Sequence, residues 1–93
     1  MGGLMHGGAL MALADNSGGV CAFLNLPEGA TGTATIESKT NFLRAVREGA
    51  VTARTRPLHR GRTFMVLETE LVRHDEMLAG KVTQTQAFHY PRP

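Results

Sequence analysis

Only one stretch of this sequence repeats on a helical period, and almost everything after it alternates. From about Gly8 to Leu26, residues Leu10, Leu13, Ser17, Cys21 and Leu24 recur at three- and four-residue steps, the spacing of one face of an α-helix. Met11, Ala14, Val20, Ala22 and Phe23 fill most of the remaining circumference. A helix apolar nearly all round is one enclosed by protein. Gly18 and Gly19 lie inside it, each costing about 1 kcal/mol relative to Ala. Their expected use is close approach by another backbone or a ligand. Pro27-Glu28-Gly29 ends the element.

The rest reads as strands. Thr31 to Phe42 alternates, with Ala34, Ile36, Ser38, Thr40 and Phe42 on one side. Gly49 opens a second run, with Val51, Ala53 and Thr55 facing one way and Thr52, Arg54 and Arg56 the other. His59-Arg60-Gly61-Arg62 is a hairpin turn supplied with Gly. Thr63 to Arg73 is a long strand with Met65, Leu67, Thr69 and Leu71 in register, and His74-Asp75-Glu76 makes the next turn. Met77 to Tyr90 is the last strand, stopped by Pro91. The expected architecture is α+β, one domain over residues 1–93, with a long helix covering the apolar face of a four-stranded antiparallel sheet. Such a sheet leaves edges unpaired and asks for a further strand or a second subunit.

Charge and composition narrow the function classes. Eight of the ten basic residues are Arg, and six of these fall between Arg44 and Arg62, where only Glu48 opposes them. A basic patch on a near-neutral body suits phosphates. Aromatics are only 5% of the chain, which removes the stacking platforms nucleic-acid binding would need. The single cysteine, Cys21, excludes a disulfide framework, and the four histidines show no metal-ligand spacing, so no metal is expected. No apolar run is long enough to span a membrane, and the start lacks a signal peptide's charged region. A cytoplasmic protein is expected.

Asp15 stands out chemically, a carboxylate among apolar helix positions. It is either part of a solvent-facing strip with Asn16 and Ser17, or an acid held in a cleft as general base or nucleophile. His6-Gly7-Gly8 precedes the helix. Backbone N–H groups at a helix start, unobstructed by side chains, can hold the oxygen of a polarised carbonyl. Gly7 and Asp15 are eight residues apart, about 12 Å along a helix axis at 1.5 Å per residue. One chain cannot easily bring both to a single small carbon. A catalytic reading therefore requires a site shared between antiparallel helices of two copies.

The run His6-Gly7-Gly8-Ala9-Leu10-Met11-Ala12-Leu13-Ala14-Asp15 resembles the HGG-x-x-x-x-LAD signature of hotdog-fold acyl-CoA thioesterases of the PaaI (phenylacetate-degradation) type. Lys39 to Gly49, with its Asn41-Phe42-Leu43-Arg44 core, is similar to a second stretch of that family, and Gly61-Arg62-Thr63 to its third hairpin. The resemblance implies a hotdog fold, dimers or tetramers, and hydrolysis of an acyl-CoA to a free acid and coenzyme A, with no separate cofactor. Carried over by position, Asp15 would attack the thioester or activate water, and the Gly7 N–H would polarise the carbonyl. His6 would shape the loop beside it, and the Thr35 hydroxyl would lie near the attacking water. Coenzyme A contacts would come from Asn41, Phe42, Leu43, Arg44 and Arg47, and from His59, Arg60, Gly61, Arg62 and Thr63. The family's first strand, and an Asn or Gln ahead of the histidine, would fall before Met1. The chain is therefore expected to be a fragment, a late start or a natural short form. A dehydratase using His6, and a non-catalytic acyl-CoA binder, are the alternative classes.

Overall fold

The computed structural model describes residues 7–47 and 49–92. One helix, α1 (Gly7–Leu24), is followed by β1 (Gly32–Phe42), β2 (Val51–Arg60), β3 (Phe64–Arg73) and β4 (Leu78–His89). Asn25 caps the helix end by donating its side-chain N–H to the Cys21 carbonyl at 2.7 Å. A turn closed by the Ala30 N–H on the Pro27 carbonyl leads into β1, with Gly29 at φ 86°, a conformation glycine adopts without strain. The helix thus stops two residues before the expected Leu26.

The sheet order is β1-β4-β3-β2, with every neighbouring pair antiparallel. β2, β3 and β4 form a meander, and β1 joins the free side of β4 rather than its sequence neighbour β2. The β3–β4 turn is tight, with the Arg73 N–H donating to the Met77 carbonyl at 2.9 Å. Its last loop residue, Glu76, has φ 66°, the left-handed conformation that follows a type I turn in a three-residue hairpin loop.

The expected inward set of β3 holds: Met65, Leu67, Thr69 and Leu71 are buried against α1. Val51, Ala53 and Thr55 of β2 are half-buried between exposed neighbours. In β1 the alternation is broken. Thr35 pairs with Gln86 but Glu37 pairs with Thr85, so Ile36 is an inserted residue. Such a bulge turns the following residues to the other phase. Ala34 consequently sits opposite Ala87 on the outer face, separated from the Ser38, Thr40 and Phe42 set with which the sequence grouped it.

The helix also differs from expectation. Its buried stripe is Leu10, Ala14, Gly18 and Ala22, whereas Leu13, Ser17 and Cys21 are half-buried and Leu24 is 76% exposed. Small residues win the contact face because they let the helix axis settle close to the sheet. A single sheet covers only one side of a helix, so Met11, Val20 and Phe23 stay exposed. The helix is not enclosed by this chain alone.

The core has two apolar clusters, one of Leu10, Ala14, Val46, Leu71, Ala79 and Val82 and one of Ala22, Met65, Leu67 and Phe88. Each large side chain buried there contributes roughly 1.5–3 kcal/mol. Polar residues separate the clusters along the inward rows: Thr69 lies between Leu71 and Leu67 on β3, and Gln84 and Gln86 between Val82 and Phe88 on β4.

Candidate active site

Asp15 lies on the flank of α1 that faces β1. It is exposed to solvent yet borders a cleft of about 500 Å³, together with Gly19, Val20 and Phe23 of α1, Thr33 and Thr35 of β1, and Gln86 of β4. Of the two readings the sequence left open, this flank has features of both: a wet carboxylate at the rim of an apolar-floored cleft. Thr35 is the last inward residue before the bulge. Gln86 lies beneath it, donating from Nε2 to the Thr35 Oγ1 at 2.6 Å.

Gly7 lies elsewhere. As the first residue of α1 its N–H belongs to the turn with no intrahelical acceptor, and a Cβ there would stand 3.4 Å from the Phe42 ring. Gly7, Leu10 and residues Phe42 to Val46 line a second cleft of about 330 Å³. Arg44 is tied there by its Nη1 donating to the Leu78 carbonyl at 2.9 Å, while Arg47 is exposed. Asn41 pairs with Lys81 across the sheet, and the Leu43 N–H donates to the Ala79 carbonyl at 2.8 Å. His6 lies outside the described residues.

The register sets how far apart these groups are. Phe42 pairs with Gly80, and Thr35 with Gln86, six residues further along β4, or about 20 Å at 3.3–3.4 Å per residue. The hairpin from His59 to Thr63 belongs to the Thr35 end, because Arg60 pairs with Met65 and Met65 with Gln86. There the His59 ring lies 5.3 Å from that of Phe64. The Gly61 N–H closes the turn on the Phe64 carbonyl at 3.0 Å, and the Thr63 carbonyl accepts from Phe88 at 2.9 Å. Arg62 lies 5.8 Å above the Tyr90 ring. One chain therefore unites Gly7 with Phe42 to Arg44, and Asp15 with Thr35, but holds the two expected coenzyme A stretches at opposite ends of its sheet.

Strand pairing also breaks up the basic run. Arg56 donates to Glu68 at 2.7 Å and Arg54 to Glu76 at 3.3 Å, and Lys81 reaches Glu68 from the other side. Both acids come later in sequence: Glu68 meets Arg56 through the β2–β3 register, and Glu76 reaches Arg54 from the β3–β4 turn. Among the described residues Arg44, Arg47, Arg60 and Arg62 have no acidic partner, so the positive charge not matched by an acid splits between the two ends. Arg73 chelates Asp75 through two nitrogens. That hydrogen bonding holds the Asp75 carboxyl down at about 2 and raises the Arg73 guanidinium. No group of three His, Cys, Asp or Glu among the described residues is placed to hold a metal ion, and none of the described helices is long and apolar enough to cross a membrane.

Gln84, Gln86, Thr33 and Phe23 were not singled out from sequence. The available signal was the inward row of β4, where two glutamines interrupt Val82-x-Gln84-x-Gln86-x-Phe88.

The family model of the thioesterase superfamily matches residues 2–79. The chain belongs to that superfamily. The 1,4-dihydroxy-2-naphthoyl-CoA hydrolase of Escherichia coli is 38% identical over 69 residues, which are 74% of this chain and 50% of that one. The crystal structure of a thioesterase from Haemophilus influenzae superposes with a TM-score of 0.89 at 32% identity, covering 95% of this chain and 61% of that one. A hypothetical thioesterase from Streptococcus pneumoniae, solved with coenzyme A, gives 0.84 at 26% identity, covering 98% and 71%. These thioesterases share the hotdog architecture of one helix against an antiparallel sheet. The chain spans about half the length of the curated relatives it matches.

Proposed function

We propose that this superfamily member hydrolyses an acyl-CoA thioester to a free acid and coenzyme A, at a site completed by a second copy of the chain. The observation that carries the reading is the cleft lined by both the exposed Asp15 and Thr35, with Val20 and Phe23 supplying apolar surface beside them. The other half, with Gly7 and the free Arg47, lies at the far end. The E. coli relative acts on an aryl-CoA thioester, which supports the substrate class. The His6 to Asp15 motif supports the PaaI type.

The second copy is supported by what one copy leaves bare. β1 is an edge strand with Ile36 65% exposed, and Phe23, Val20 and Met11 face outward on α1. Antiparallel helices across a two-fold axis would bring Gly7 of one copy towards Asp15 of the other. In this reading Asp15 takes a proton from water as the water oxygen adds to the thioester carbon. The Gly7 N–H, at the start of α1, holds the oxygen that becomes negative, and His6 is assigned the role of orienting it. Collapse breaks the C–S bond, and coenzyme A leaves as the thiol after taking up the proton. Direct attack by Asp15 would instead give an anhydride that water then opens. In ¹⁸O-water under single turnover, label in the Asp15 carboxyl arises only from an anhydride that water opens at the aspartyl carbon, so its appearance identifies direct attack. Arg44 and Arg47 from one end, and His59 to Thr63 from the other, would bracket the nucleotide. No metal, cofactor or nucleic acid enters this reading.

The test is thiol release from acetyl-, hexanoyl- and benzoyl-CoA. Asp15→Asn keeps the shape and removes the base, and its expected loss is about 10²–10⁴-fold in kcat. An unchanged rate would overturn the assignment.

A further inference from the structure

We infer that Gln84 and Gln86 are positioning residues that oblige the Thr35 hydroxyl to donate its hydrogen into the Asp15 cleft. This deepens the proposed function and rests on it for its catalytic meaning. Hydrogen-bond direction decides it. Both carboxamides are buried to 1% exposure, where an unmade hydrogen bond costs about 1–3 kcal/mol, so each group's partner matters.

The direction of the chain is fixed at the helix. Gln84 stands 3.3 Å from the Ala14 carbonyl, and a carbonyl oxygen only accepts. The group facing Ala14 is therefore the Gln84 NH₂, which turns Oε1 towards β4. That oxygen must accept, and it does so from Gln86 Nε2 at 2.6 Å. The same Nε2 gives its second hydrogen to Thr35 Oγ1 at 2.6 Å. Gln86 Oε1 faces the Thr33 hydroxyl at 3.0 Å, whose one hydrogen is shared between it and the Ala87 carbonyl, also at 3.0 Å. Neither amide can flip without setting like against like somewhere along this chain.

The consequence falls on Thr35. Its oxygen is occupied as an acceptor, so its one hydrogen points elsewhere, and among the described residues nothing accepts it. The remaining direction is the cleft shared with Asp15. Resemblance implied only a hydroxyl near water; the relay gives that hydroxyl a polarity. It presents a donor to an acceptor oxygen bound beside Asp15, and Asp15 is left as the group that receives the proton. Gly18 is part of the device, because a Cβ there would occupy the Gln84 carboxamide.

The test combines kinetics and NMR on the full 93-residue chain. Gln86→Met keeps length and removes the donor. Its expected effect is a kcat about tenfold lower with KM within about threefold, the scale of one lost hydrogen bond in the transition state. Thr35→Val should match it, Thr35→Ser should retain activity, and Gln86→Met added to Thr35→Val should change kcat by less than about twofold. A full kcat in Gln86→Met, or equal losses in both backgrounds, would overturn the inference. Should Gln86→Met fail to fold, the side-chain amide signals of Gln84 and Gln86 decide the matter. Slow exchange, with the Gln86 pair displaced by Thr35→Val and not by Thr35→Ser, supports the relay. Rapid exchange, or indifference to Thr35→Val, refutes it. If the wild type hydrolyses none of the thioesters, the proposed function fails, and the same NMR arm still judges the relay.

Discussion

Replacing Gly18 by Ala tests how closely the helix must approach the sheet. All three heavy atoms of the Gln84 carboxamide lie within 2.8 Å of where the new Cβ would be. Gln84 must then either stay, with the helix pushed off β4, or swing aside and give up its bonds to Ala14 and Gln86. Overpacking of this kind costs about 1–3 kcal/mol, and stranding a buried amide costs about the same. The chain takes the cheaper route, and Ala returns about 1 kcal/mol of helix propensity. A net loss of up to about 2 kcal/mol follows. In urea, with a slope of about 1 kcal/mol per molar for a protein this small, the midpoint should fall by up to about 2 M. Gly19→Ala is the matched control. Nothing lies within 4 Å of its Cβ, so only the propensity term acts and the midpoint should rise by up to about 1 M. Both curves need one protein concentration, since any self-association adds to apparent stability. Midpoints that move in the same direction would refute the reasoning.

Two further outcomes follow from the β3–β4 turn, and a third concerns the cleft. Glu76→Gly should stabilise the chain by up to about 1 kcal/mol, because Glu76 holds a left-handed backbone that glycine adopts without strain; thermal unfolding checks this, and a loss of more than the exposed Arg54 contact would count against it. Asp75 is held at about 2, below its ordinary 3.8, by the Arg73 hydrogen bonds. A lowered carboxyl stabilises the fold above its unfolded value and stops doing so as pH falls through the folded one. The advantage of wild type over Asp75→Asn should therefore be full above about pH 4 and vanish towards about pH 2, read from acid unfolding and a carboxyl NMR titration. Asp15→Asn should leave the urea midpoint nearly unchanged while lowering the kcat of thioester hydrolysis about 10²–10⁴-fold, which separates chemistry from folding.

Local chemistry made much of the fold legible. The inward rows of β2 and β3, the β3–β4 turn and the helix were readable because each depends on residues a few positions apart, whereas the turn expected at His59 to Arg62 starts later because β2 runs on to Arg60. What depends on register was not. No glycine or proline announces the bulge at Ile36, and pairing of β1 with β4 is a long-range choice that alternation alone does not specify. The cross-strand partners of Arg54 and Arg56 were hidden for the same reason, so the basic patch looked larger than it is. Resemblance singled out Asp15 and Thr35, which line one cleft, and Gly7, which lines the other. Gln84 and Gln86 were overlooked, although two amides in a core row are a visible anomaly. The helix misled in one respect: its greasy circumference was read as enclosure, and one sheet can enclose only half of it.

The gap of about 20 Å along β4 between Phe42 and Thr35 has a consequence for how this molecule tolerates change. Within one copy the two ends share no neighbours, so lesions at Phe42 to Arg47 and at Thr35 should combine as simple sums in their effect on folding. Mixing two crippled proteins, one damaged at each end, is then an informative experiment. Each mixed pair that forms would carry one intact half from either parent, and turnover should reappear where neither parent alone has any.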